Sequence, residues 1–83
     1  MSEQDILPAL TEIIRDTFDD PDFVVTMETA AKDHPEWDSF NHINIIVAAE
    51  MHFGVKFRTT ELGSLNNVGD FAALIAEKTR RAA

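Results

Sequence analysis

Ile6, Leu7, Leu10, Ile13, Ile14 and Phe18 recur three and four residues apart, which predicts an amphipathic helix over residues 3–18. Ser2 is placed to cap it, with Asp5 three residues on as the reciprocal partner of a capping box. Pro8 falls in the early turns, where a missing N–H costs least. Asp19-Asp20-Pro21-Asp22 then stops the helix. A second, strongly apolar run predicts a helix over 39–53, opened by Asp38 as N-cap and closed by Gly54. A short helical turn over 60–63 follows, begun by Thr59 or Thr60 and broken at Gly63. A last helix is predicted over 68–80. Asn67 and Asp70 have the spacing of a capping box there, and Val68, Phe71, Leu74 and Ile75 share one side. Lys78, Arg80 and Arg81 fall at its C-terminal end, where the helix dipole favours cations. The pattern predicts one all-α domain over 1–83, a four-helix bundle with a long first loop and a short third helix.

Residues 19–38 form that loop. It holds Pro21 and Pro35 and an apolar clip of Phe23, Val24, Val25 and Met27. A connection this long in a small domain is functional or is pinned by its own apolar residues, so the clip is expected in the core. Leu65 is expected to anchor the link into the last helix. Asp19, Asp20 and Asp22 lack the alternating ligands, central Gly and closing Glu of a calcium loop, so no metal site is assigned there.

Helix two carries two apolar stripes. At about 100° per residue, Ile46, Ala49 and Phe53 share a face flanked by Ile45 and Ile43, the natural core side. Phe40, Asn44, Val47 and Met51 lie on a second stripe, on the order of 140° away. Asn41, Ala48 and His52 form the polar third. Two readings of the second stripe stand: a wide core buried under the loop, or an exposed face for docking a partner.

Charge sharpens the picture. The chain has a formal net charge of −8, and residues 1–38 hold eleven acids against Arg15 and Lys32, a net −9. Residues 39–83 hold four acids and five bases, a net +1. Nucleic acid is a poor partner for such a chain, because phosphate backbones reward clustered Lys and Arg. A basic protein surface suits it better. There is no cysteine, hence no disulfide and no thiolate metal site. No apolar run approaches the roughly 20 residues of a membrane span. Glu3 and Asp5 stand where a signal peptide would be basic. The expectation is a cytoplasmic monomer.

One hydroxyl stands out, that of Ser39 in Glu36-Trp37-Asp38-Ser39-Phe40-Asn41-His42-Ile43. Asp38 can cap the helix, so Ser39 is not needed for that purpose. No histidine–acid relay is evident to make it a catalytic nucleophile. His34, His42 and His52 do not share a metal-binding spacing and read as solvated or edge-of-core side chains. From the residues alone, Ser39 is either a plain helix-start residue or a modification site. A phosphate attached there would sit at the positive end of the helix dipole.

The chain resembles the acyl carrier proteins, whose signature is Asp-Ser-Leu at the start of the second helix. Here it reads Asp38-Ser39-Phe40. Ile43, Ile46, the Glu50-Met51-His52-Phe53-Gly54-Val55 stretch, Phe57, Leu65 and Asn67-Val68-Gly69-Asp70-Phe71 follow in the family's order and spacing. The resemblance implies a carrier and not an enzyme. It implies 4'-phosphopantetheine on Ser39, supported by Asp38 and placed there from coenzyme A by a phosphopantetheinyl transferase. Acyl-loading and acyl-transfer enzymes would be the other partners. They would dock on Phe40, Asn44, Val47, Glu50 and Met51, and an acyl pocket would lie near Ile46, Phe57 and Leu62. The chain departs from the pattern in three places. Phe40 replaces Leu, Trp37 replaces a small residue, and Glu50 is the only acid of helix two. The last departure suggests a dedicated lipid or polyketide-type pathway in place of bulk fatty-acid synthesis. Two alternatives stand beside it: an aminoacyl or peptidyl carrier of nonribosomal synthesis, and an unmodified helical interaction module.

The crowding of acids into residues 1–38 generates a first prediction. Like charges repel in the compact state, so moderate sodium chloride or millimolar divalent cations should raise the melting temperature through screening. Thermal unfolding followed by circular dichroism checks this, and an unchanged or falling midpoint contradicts it.

Overall fold

The computed structural model describes residues 2–82, with side chains through residue 80. Four helices follow in order: α1 (Glu3–Phe18), α2 (Ser39–Phe53), α3 (Thr59–Leu62) and α4 (Val68–Ala82). A single 3-10 turn, Ala31–Asp33, interrupts the long loop, and no strand occurs among the described residues. α1 and α2 match the predicted spans. α3 begins and ends one residue earlier than 60–63, with Gly63 as its cap. α4 runs two residues beyond the predicted 80. The contribution foreseen for the Arg81 side chain lies outside the described residues.

The caps form as the residue types require. The Ser2 hydroxyl accepts the Asp5 amide while the Asp5 carboxylate accepts the Ser2 amide. Asp19 ends α1 in the left-handed region at φ 51°, which Asp tolerates better than most residues. Gly54 ends α2 at φ 68°, where a Cβ would be strained. At α4 the Asn67 side chain accepts the Asp70 amide, but the Asp70 carboxylate accepts from Asn66, not Asn67. The predicted reciprocal box is therefore displaced by one residue on its return bond.

The core gathers Ile6, Leu10, Ile14 and Phe18 of α1, Ile45, Ile46 and Ala49 of α2, and Val68, Phe71, Ala72 and Ile75 of α4. α1 packs against both α2 and α4. The small α3 is bolted on by polar contacts. The Glu61 carboxylate accepts the Arg58 amide at 2.8 Å and meets Lys78 of α4 at 2.9 Å. The Arg58 amide, then Lys78, hold the Glu61 carboxyl below its ordinary range. That contribution is present above the ordinary carboxylate pKa and is lost as pH falls through the lowered one.

The loop is pinned, but not by every residue of the predicted clip. Val25 is buried, and Phe23 and Met27 pack on the core. Val24, between them, is exposed. The Arg15 guanidinium, one of the two bases in the acidic half, donates to the Phe23 carbonyl at 2.7 Å. The middle of the loop is tied to α4. The amides of Val68 and Gly69 donate to the carbonyls of Thr29 and Met27 at 2.8 and 2.7 Å. Those amides are helix-start donors with no partner inside their own helix.

Gly69 makes this approach possible. A Cβ at Gly69 would lie 2.8 Å from the Met27 carbonyl oxygen and 3.3 Å from Met27 Cβ. Gly69→Ala should destabilise by about 1–3 kcal/mol through forced displacement of the loop, outweighing the up to ~1 kcal/mol helical advantage of Ala. At Gly63 the nearest atom to an added Cβ is an ordinary 3.7 Å away, so Gly63→Ala should be neutral or slightly stabilising. Urea unfolding of the two variants checks this, and similar stability gains at both sites would contradict it.

Candidate functional site

Asp38 and Ser39 sit where the long loop turns into α2. The Asp38 carboxylate accepts the Asn41 amide at 2.8 Å and so caps the helix. The Asn41 side chain reaches back to the Glu36 carbonyl at 2.8 Å, which fixes the last turn of the loop. Ser39 is the first helical residue and is exposed. Its hydroxyl makes no hydrogen bond among the described residues, so the oxygen is free for chemistry. Ser39 opens onto a surface concavity that it lines with Ala31, Trp37, Asp38, His42 and Ile43.

Behind the site stands an aromatic cluster. Phe18 at the end of α1 stacks on His34 with ring centres 4.3 Å apart, and Trp37 leans on Phe18 at 5.4 Å. His34 is buried, contrary to the solvated or edge-of-core reading. Its Nδ1 accepts the Glu36 amide at 3.1 Å, so Nε2 carries the proton and donates to Asp20 at 3.0 Å. With Phe18 stacked on it and Phe23 in a T-shaped contact, the ring is a core side chain whose two nitrogens are both satisfied. The Trp37 indole N–H donates to His42 Nδ1 at 3.1 Å. Trp37 thereby ties the end of the loop to α2. His42 is backed by an indole and not by a carboxylate, and it forms no acid–base relay with Ser39.

The second stripe of α2 is exposed. Phe40 is 74%, Met51 81% and Val47 46% accessible, and Ile43 joins them at 58%. The wide-core reading fails, because the loop meets α2 at His42 through Trp37 and leaves this stripe exposed. Ile43 also fails as a flank of the core face, and Phe53 is only partly buried. Asn44 is exposed beside them. Glu50 is different. It is half-buried, and its carboxylate accepts the Phe57 amide at 2.9 Å, pinning the segment after α2. The acid foreseen among the docking residues is thus also engaged within the fold.

A partly open hollow under the loop takes in part of the predicted pocket. It measures ≈ 60 Å³ and lies between the loop and the helices, against Ile14, Ile45, Ile46, Val68 and Phe71. Ile46 lines it. Phe57 and Leu62 pack on the core elsewhere and do not. Phe57 is instead engaged by Phe71 and by the Lys78 ammonium. Two residues that position the site escaped sequence reasoning. Gly69 carried a signal, since a Gly in the first turn of a helix asks for a packing reason. His34 carried none, because its partners are brought to it only by the fold.

No family model matches the chain. An acyl carrier protein of Acidothermus cellulolyticus is 35% identical over 79 residues, covering 95% of this chain and 94% of that one. The chain belongs to the acyl carrier protein family. A meromycolate extension acyl carrier protein of Mycolicibacterium aurum is 35% identical over 74 residues, 89% of this chain and 76% of that one. The solution structure of a holo acyl carrier protein from Geobacter metallireducens superposes with a TM-score of 0.86 at 49% identity, covering 92% of this chain and 87% of that one. Membership makes the chain a carrier and not a catalyst, with 4'-phosphopantetheine as its prosthetic group. No helix among the described residues is long and apolar enough to cross a membrane.

Proposed function

We propose that Ser39 is the attachment point of the 4'-phosphopantetheine arm, and that the chain carries acyl groups as thioesters on it. The observation that supports this most is the unengaged, exposed Ser39 hydroxyl at the start of a fifteen-residue helix, beside an open concavity. The site fits the group. The helix start favours a phosphodiester, and the concavity leaves room for the proximal arm next to the apolar Trp37 and Ile43. Bound there, the arm supplies the terminal thiol that a cysteine-free chain lacks. The Ser39 oxygen forms the new bond to the pantetheine-side phosphorus of coenzyme A, the pyrophosphate bond of coenzyme A breaks and adenosine 3',5'-bisphosphate leaves, and the Ser39 proton passes to a base of the phosphopantetheinyl transferase. Asp38 caps α2 with one carboxylate oxygen and presents the other to that enzyme and its divalent metal. The protein acts as a cytoplasmic monomer, consistent with its acidic charge and absence of cysteine.

The partners that load and unload the arm dock on Phe40, Asn44, Val47 and Met51. A face this apolar, with its nearest acid engaged by Phe57, favours dedicated enzymes that read shape and apolar contact over those that read charge.

Incubation with coenzyme A, a divalent cation and a broad-specificity transferase should add the mass of one phosphopantetheine. Ser39→Ala should abolish the gain and leave the helical circular dichroism unchanged. A gain that persists in Ser39→Ala, for instance at Ser64, overturns the assignment.

The dedicated-pathway reading has its own test. Replacing both Asn44 and Met51 with Glu should improve loading and elongation by general fatty-acid synthesis enzymes. A wild-type chain that already serves those enzymes as well as a primary fatty-acid carrier shows that reading to be wrong.

A further inference from the structure

His42 follows Ser39 by three residues, and side chains at that spacing on a helix are neighbours. Both line the surface concavity, with Ala31, Trp37, Asp38 and Ile43. The Trp37 indole N–H donates to His42 Nδ1 at 3.1 Å. An imidazole nitrogen that accepts carries no proton, so the neutral ring bears its proton on Nε2. The loop thus sets the tautomer of a ring on α2. The Nε2–H that results is a donor with no acceptor among the described residues.

We propose that His42 holds the phosphate at the root of the prosthetic arm, by a hydrogen bond from Nε2–H to a phosphodiester oxygen. The proposal rests on Ser39 as the attachment point. It follows from what the other walls of the concavity offer. Ala31 and Ile43 bring only hydrocarbon. The Trp37 N–H is taken by His42. Asp38 brings a carboxylate, with one oxygen on the Asn41 amide, and its charge repels a phosphodiester. Ser39 loses its hydroxyl hydrogen when the arm is attached. Lys32 is exposed and stands outside the wall. His42 is left as the side chain there with a hydrogen to donate.

A neutral N–H on an anionic oxygen is a charge-assisted bond, stronger than one between neutral groups. It forms without protonating the ring. A second proton on Nδ1 would face the indole N–H, so the Trp37 contact favours the neutral donor. The contact also has a direction. At about 100° per residue, His42 lies about 60° from Ser39 on one side of the helix and Phe40 about 100° on the other. A phosphate drawn to His42 turns away from Phe40 and from the exposed stripe that continues through Val47 and Met51. His42 thereby sets the side on which the arm leaves the helix and keeps the docking stripe clear.

The experiment compares isotope-labelled apo and holo protein at about pH 8, where imidazole is neutral. A long-range proton–nitrogen spectrum reads both ring nitrogens of each histidine through its carbon-bound ring protons. His42 should show an acceptor Nδ1 and a protonated Nε2 in both forms. Its Nε2 should move downfield when the arm is attached, while the ring nitrogens of His52 stay in place. The phosphorus resonance of the holo protein should move in His42→Phe and return most of the way in His42→Gln, whose amide supplies an N–H. It should stay in place in His52→Phe and Lys32→Gln. Trp37→Phe frees the ring to exchange tautomers, so there the phosphorus resonance should move part of the way to its His42→Phe position. Circular dichroism checks that each variant is folded. A His42 Nε2 unmoved by the arm overturns the proposal. So does a phosphorus resonance that is the same in the wild type and a folded His42→Phe, or one that Lys32→Gln moves as far. If His42→Phe does not fold, the wild-type comparison of Nε2 decides alone. A Ser39→Ala chain that still gains the arm refutes the attachment site and the His42 contact with it, whereas the other adverse results refute the contact alone.

Discussion

Two backbone hydrogen bonds carry the architecture around Ser39. The first amides of α4 have no partners in their own helix, and the loop carbonyls at Met27 and Thr29 have none in a strand or helix. Each set answers the other, at 2.8 and 2.7 Å. The contact closes the middle of a long loop onto the far end of the chain, at an entropic cost that grows only slowly with loop length. It also demands that position 69 have no side chain, because the Met27 carbonyl occupies the space of a Cβ. From there the second half of the loop runs on to α2.

That route is paved by rings. Phe18 closes α1 and meets His34, Phe23 and Trp37. A neutral His34, bonded at both nitrogens, joins the start of the loop at Asp20 to its end at Glu36. Trp37 then reaches across to His42 on α2. The aromatic contacts give rigidity, and the polar atoms they bury find partners. The consequence is a firm platform that leaves the neighbouring Ser39 side chain free. The site thus combines an ordered backbone with an unengaged hydroxyl, which suits a residue that is modified by another protein.

Helix two answers to two demands. Ile45, Ile46 and Ala49 are needed inside, and Phe40, Val47 and Met51 remain outside. No neighbouring element covers the second stripe, since the loop passes over the His42 side and α3 is held by Glu61, Lys78 and the Phe57 segment. Glu50, the only acid of the helix, is turned to the Phe57 amide. The exposed face is therefore more apolar than composition suggests. The acidic half of the chain lies in α1 and the loop, where Arg15 and His34 engage parts of that backbone and charge.

The sequence by itself determined the helices, their caps and the serine. These are local matters: apolar spacing along one helix, an Asp before it, a Gly after it. The family pattern that runs from Asp38 to Phe71 was legible for the same reason, since it is written as residue types in order. Tertiary structure alone decided what depends on residues distant in the chain. It buried His34 between Phe18 and Phe23 because Asp20 and Glu36 satisfy its nitrogens. It sent Val24 outward and turned Glu50 to a backbone amide. It placed the cavity under the loop, with Ile46 but without Phe57 and Leu62. Periodicity assigns a residue to a face of its own helix. Which neighbour covers that face depends on how the loop is closed onto α4, and no local pattern states that.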